Sequence, residues 1–205
     1  MDSIIRPTLH HVGLTTARLE EMVDWYATVL GMTPNLRSAT VLEPDGDASV
    51  EGVWVTNDRA NHRVALVSLP GPTADSNRRT HTRLEHVAFE YATLDDLLGT
   101  HARLKELGIE PVLAVDHGAT SAFYYEDPDG NSIELFADNF GDWDKSSEYL
   151  RSAPNMRTNP LGTPVDPTKM LAARRAGGSV EEVHRRAYAG EFAPADPPDP
   201  SRLLS

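Results

Sequence analysis

Residues 8–15, TLHHVGLT, alternate apolar and polar positions with the period of two that marks a strand with one buried face. From Leu19 the period lengthens. Leu19, Met22, Val23, Tyr26 and Leu30 fall at helical spacing, and Gly31 stands where a helix C-terminus needs a left-handed residue. Trp25 and Tyr26 are expected to pack this helix on its sheet. Three strand-like segments follow near 34–43, 50–57 and 62–69, separated by the turn-rich stretches EPDGDAS and NDRANH. After the polar linker PGPTADSNRRTHT the same order returns: a strand at 84–91, a helix at 94–107 closed by Gly108, and strands near 110–115, 121–126 and 131–137, the last two joined by a DPDGN turn. At an offset of 75 residues Leu9 meets Leu84, His11 meets His86, Val12 meets Val87 and Leu19 meets Leu94. The pattern predicts an α+β fold of two βαβββ modules, 8–70 and 82–137, followed by a C-terminal extension, 138–205. That extension is proline-rich, with one helix-compatible stretch around SVEEVHRRAYAG, and is expected to wrap the modules or a neighbouring subunit.

Composition narrows the partners. The chain has 205 residues, 40% apolar and 24% charged, and no apolar run approaches the roughly 20 residues of a membrane span. Without cysteine, and with no basic-then-apolar leader pattern in MDSIIRPTLHH, the expectation is a soluble, cytoplasmic protein. The net charge of −12 disfavours nucleic acid and anionic membrane, which are bound through basic patches, and leaves a small molecule or another protein.

The repeated histidine is the chemical signal. His11 and His86 at equivalent positions would meet near a pseudo-twofold axis if the modules pack side by side. Glu134 alternates with Ile133 and Leu135 in an otherwise apolar strand and supplies a carboxylate. Two histidines and one carboxylate with open positions form the ligand set of non-haem Fe(II) oxygen chemistry. Each residue also has a plainer explanation, as a hydrogen-bonded core histidine or a solvent-facing glutamate. His10, adjacent to His11, is expected on the opposite strand face in a structural role, and His101 and His184 are expected at the surface. Phe123, Phe136, Phe140 and Trp143 could line an apolar pocket or pack a core or dimer interface.

The two βαβββ patterns, the openings HHVGL and EHVAF, and the ending YYEDPDGNSIELF resemble the vicinal oxygen chelate superfamily of glyoxalases, bleomycin-resistance proteins and type I extradiol dioxygenases. The resemblance covers about residues 8–137. With HTRLEHVAFEY and DNFGDW, the whole chain most resembles the one-domain, 2,3-dihydroxybiphenyl 1,2-dioxygenase-like members. It implies metal ligands at His11, His86 and Glu134, with Fe(II) as cofactor. The fourth such position falls at Ala65 or a neighbour, since no Glu, Gln or His occurs from Arg63 to Leu69, unless His62 reaches the metal through a shifted register.

It further implies that Tyr124, ten residues before Glu134, orients the substrate and that His117, opening HGAT, moves protons, although at a shorter spacing to Tyr124 than in catechol 2,3-dioxygenases. His62 and His81 are further proton-transfer candidates, because Gly71 and Pro72 stand near where two-domain relatives place another histidine. The implied activity is extradiol cleavage of a catechol-type diol with both atoms of O2, in a homodimer or higher homo-oligomer. A glyoxalase-like isomerase or lyase using four ligands or another divalent metal is the enzymatic alternative, and a non-catalytic small-molecule binder of the same fold is the other.

Overall fold

A computed structural model describes residues 4–41, 49–71, 73 and 81–198. The chain divides into two compact units, Met1–Asn77 with Asp127–Gly130, and Arg78–Glu126 with Asn131–Ser205. Among the described residues, no helix is long and apolar enough to cross a membrane. Most of the EPDGDAS turn and of the linker after Leu69, including Pro72, lies outside the described residues.

The first unit contains β1 (Val12–Thr16), α1 (Leu19–Leu30), β2 (Thr33–Val41), β3 (Ser49–Thr56) and β4 (Val64–Ser68), with the sheet order β1-β4-β3-β2. β1 and β4 are parallel, and the other pairs are antiparallel. α1 buries Leu19, Met22, Val23, Tyr26, Val29 and Leu30 and ends as its sequence predicts. Gly31 adopts φ 64 and donates its N–H to Ala27 O, a conformation that costs a residue with a Cβ on the order of 1 kcal/mol.

The second unit repeats this plan as β5 (His86–Tyr91), α2 (Leu94–Glu106), β6 (Leu113–Asp116), β7 (Thr120–Glu126) and β8 (Ser132–Asp138). Its sheet order is β5-β8-β7-β6-β9, where β9 (Thr163–Pro164) comes from the C-terminal extension. Thr93 caps α2 by accepting the Asp96 N–H, and Leu94, Leu97, Leu98 and Leu104 form its buried stripe.

The extension is more ordered than its composition predicts. It forms α3 (Trp143–Ser152), α4 (Asn155–Thr158), β9, α5 (Pro167–Arg175) and α6 (Val180–Tyr188). α5 packs on α2, and α6 lies against β6. Apolar periodicity is weak in α5, but the caps of the extension helices are legible in the sequence. Asp142, Asp166 and Ser179 each accept backbone N–H groups from the first turn, and Pro167 follows Asp166 where a missing N–H costs nothing.

Candidate metal centre

In the second unit the register of β5, β7 and β8 decides which side chains meet. Ala88 pairs with Glu134, and Glu134 pairs with Tyr124. His86, two residues before Ala88, therefore shares a sheet face with Glu134 and Tyr124. Ile133 and Leu135 point to the other face, where α2 packs on β8. This confirms the alternation expected of Glu134, although the carboxylate is itself only 8% exposed.

His86 Nε2 lies 3.0 Å from Glu134 Oε2. The Tyr124 hydroxyl donates to Glu134 Oε1 at 3.1 Å, and His117 Nε2 is 3.0 Å from the same hydroxyl. The four residues thus form one connected chain, His86, Glu134, Tyr124, His117. His86 Nδ1 also pairs with Glu85. Hydrogen bonding to Glu134, with a smaller contribution from Glu85, pushes the His86 imidazole up to about 9 against the opposing effect of burial.

Burial pushes His117 the other way, below the ordinary imidazole range. The charges of Glu134 and Asp116 and the backbone carbonyls of Pro160 and Leu161 partly oppose this. Burial, then the Glu134 charge, raises the Tyr124 phenol and keeps it a donor. Leu113, Val115, Ala122 and Tyr124 form an apolar cluster on this side of the sheet, with Phe136 packed against it.

In the first unit His10, His11 and His62 converge, and one nitrogen from each ring lies within 4.8 Å of the others. His10 Nδ1 is 3.0 Å from His11 Nδ1, and the His11 and His62 ring centroids are 4.3 Å apart. Burial, followed by the neighbouring His11 and His10, lowers the His62 pKa. The expectation that His10 points away from His11 is wrong. Both residues precede β1, so strand alternation does not govern them. Ala65 pairs with Gly13 as Glu134 pairs with Ala88, so the fourth position of the repeat holds an alanine, while His62 sits beside His11.

Other expectations are also corrected. His101 is 2% exposed rather than on a polar face, its ring edge-on to Phe123 at 5.9 Å and its Nε2 3.4 Å from Thr168 Oγ1. α5 covers the face of α2 that the sequence assigned to solvent. His184 is not a surface tail residue either: its Nδ1 lies 2.8 Å from Oδ2 of Asp116, which is fully buried. His81 is exposed ahead of β5. Of the aromatic residues, Phe123 is core, Phe140 stacks on Tyr149 at 5.2 Å, and Trp143 is 59% exposed at the start of α3. Sequence reasoning passed over Asp116 and Asn139. The signal for Asp116 was a charge ending the apolar run VLAVD.

The donor chemistry suits a divalent transition metal. His86 Nε2 and Glu134 Oε2, 3.0 Å apart, would offer an imidazole nitrogen and a carboxylate oxygen to such an ion. Tyr124 orients that carboxylate as an outer partner would.

Comparison with known proteins agrees with this chemistry. A profile of the Glyoxalase/Bleomycin resistance protein/Dioxygenase superfamily matches residues 8–135. The chain is 38% identical over 203 residues, 97% of each chain, to biphenyl-2,3-diol 1,2-dioxygenase 2 of Rhodococcus globerulus. It is 34% identical over 185 residues to biphenyl-2,3-diol 1,2-dioxygenase 3 of that organism, covering 90% of this chain and 91% of the relative. A solved glyoxylase/bleomycin resistance protein/dioxygenase domain from Frankia sp. EAN1pec shares the fold with a TM-score of 0.52 at 20% identity, over 65% of this chain and 93% of its own. With its repeated βαβββ units and a profile match over more than half its length, the chain belongs to the Glyoxalase/Bleomycin resistance protein/Dioxygenase superfamily.

Proposed function

We propose that this protein is an extradiol ring-cleavage dioxygenase that inserts both atoms of O2 into a catechol-type diol of the biphenyl-2,3-diol kind. The observation that carries the proposal is the connected chain His86, Glu134, Tyr124, His117, in a protein 38% identical to a biphenyl-2,3-diol 1,2-dioxygenase over nearly its whole length. The ligand set is His11, His86 and Glu134. Fe(II) bound there supplies a Lewis acid for the catechol oxygens and a route for electrons from the diol to O2. His86 would hold an ion through a neutral imidazole nitrogen.

The remaining residues handle protons and orientation. Tyr124 keeps its proton and donates a hydrogen bond to the substrate oxygen that is not fully ionised. His117, held neutral by burial beside the Tyr124 hydroxyl, accepts a proton from the substrate or returns one. His62, also favoured in the neutral form, stands beside His11 as a second proton acceptor.

The test is anaerobic purification, metal analysis, and oxygen uptake with Fe(II) and a catechol panel that includes 2,3-dihydroxybiphenyl. Iron-dependent oxygen consumption with a yellow ring-opened product is the expected result. Tight zinc or nickel with no oxygen consumed on any diol would replace this proposal with the isomerase alternative.

A further inference from the structure

His117 stands in the 117–120 turn between β6 and β7, and the C-terminal extension builds most of what surrounds that turn. The centre of the construction is Asp116, the last residue of β6, whose fully buried carboxylate is met from several sides. Oδ1 accepts the Gly118 N–H at 2.8 Å and Asn139 Nδ2 at 3.3 Å. Oδ2 faces Ser121 Oγ at 3.5 Å and His184 Nδ1 at 2.8 Å. A buried carboxylate stripped of a donor is destabilised, so each donor constrains where the Asp116 backbone can sit.

The backbone is gripped as well. Asp116 pairs with Thr163 of β9, and a Cβ on Gly162, whose φ is +78, would lie 2.2 Å from Asp116 O. A Cβ on Gly118, at φ +88, would lie 2.4 Å from the Tyr149 hydroxyl of α3. Asn139 closes the turn from the end of β8 by donating its backbone N–H to Ala119 O and its Nδ2 to Gly118 O. The ring of His117 itself meets the carbonyls of Pro160 and Leu161. His184 brings a side-chain donor to the Asp116 carboxylate from α6, and Asn139 brings another from just after β8.

We propose that His184 is a positioning residue for ring cleavage. Through Asp116 it fixes the 117–120 turn so that His117 presents Nε2 to the Tyr124 hydroxyl, making the C-terminal extension part of the active apparatus. This inference rests on the proposed function for its catalytic consequence, but not for its geometry.

The test uses two substitutions in the full chain. His184→Phe keeps an aromatic ring and removes the Nδ1 donor, whereas His184→Asn places an amide N–H two bonds from Cβ, where Nδ1 stood. With 2,3-dihydroxybiphenyl and Fe(II), His184→Phe is expected to lower kcat by about tenfold while KM and bound iron stay as in the wild type. His184→Asn is expected to recover most of the loss. Wild-type kcat in His184→Phe, or equal losses in both variants, overturns the proposal. Amide hydrogen exchange over residues 116–121 gives an activity-independent readout. His184→Phe is expected to exchange about tenfold faster there, and unchanged protection overturns the geometric claim. If wild-type protein cleaves no diol, the functional proposal fails on its own terms, and the exchange comparison still decides whether His184 holds the turn.

Discussion

The two sheets are built on one plan and filled differently. In the first, the row across β1, β4, β3 and β2 reads Gly13, Ala65, Trp54, Leu36; in the second, the row across β5, β8, β7 and β6 reads Ala88, Glu134, Tyr124, Leu113. A histidine stands two residues before the first member of each row, His11 and His86. The backbone repeats faithfully, but only the second row carries a carboxylate and a phenol, and only it connects onward to an imidazole. The edges differ too. Residues 33–40 of β2 are exposed, whereas β6 is buried along its length because β9 pairs with it and α6 lies against it. A duplicated fold supplies equivalent positions, and the side chains and flanking chain make one copy polar and enclosed.

Glu134 and Ala65 occupy equivalent positions in the two sheets. Glu134→Ala should abolish iron retention and reduce ring cleavage on the order of a thousandfold, read by metal analysis and oxygen uptake. Ala65→Glu places a larger, charged side chain at a buried alanine position. It should cost roughly 3 kcal/mol, seen as a lower urea midpoint. The next pair is Tyr124 and Trp54. Tyr124→Phe should lower kcat about a hundredfold with iron retained, because it removes the hydroxyl between Glu134 and His117. Trp54→Phe should leave kcat unchanged and cost about 1 kcal/mol from lost packing over Gly52.

A smaller effect separates the units by pH. Burial, with Lys105 adding repulsion, holds His101 below its usual pKa of 6.5, while Glu110 and Asp166 act in the opposite direction. Below pH 6.5 the unfolded chain therefore binds a proton that the folded chain refuses, and stability falls as the pH drops. His101→Leu should make the decline in urea midpoint between about pH 7 and pH 5 shallower. In the first unit, hydrogen bonds from Arg63 and from the Ala60 N–H hold Asp58 down at about 2. The stability from that group is present above the usual carboxylate range and is lost only as the pH falls towards 2. The smallest effect is expected at the exposed pair between α5 and α2. Arg174 meets Asp95 through two hydrogen bonds at 2.7 and 2.5 Å, and Arg174→Ala should cost about 0.5 to 1 kcal/mol by thermal melting.

Much of this was legible in the chain. Strand alternation, helical periodicity and the glycines after each helix located both βαβββ units to within a few residues, because those signals are local. The repeat offset picked out His11 and His86, and aligning the final strands put Ala65 opposite Glu134, as the observed register does. The ten-residue spacing between Tyr124 and Glu134 became a cross-strand pair because the DPDGN turn folds one strand back on the other. The extension read less completely: the stretch of α6 was marked as helix-compatible, whereas α5 has little apolar periodicity and α3 is short and polar overall.

By itself, then, the sequence determined the order of elements and the internal repeat, which follow from local periodicity and its recurrence along the chain. Tertiary structure decided the rest. It turned His101 inward beneath α5, gathered His10 and His62 around His11, and brought His184 across 68 residues of chain to the Asp116 carboxylate beside His117. Such contacts depend on which segments come to lie side by side, and no local pattern encodes that, because a histidine has the same propensity whether solvent or a buried carboxylate waits for it.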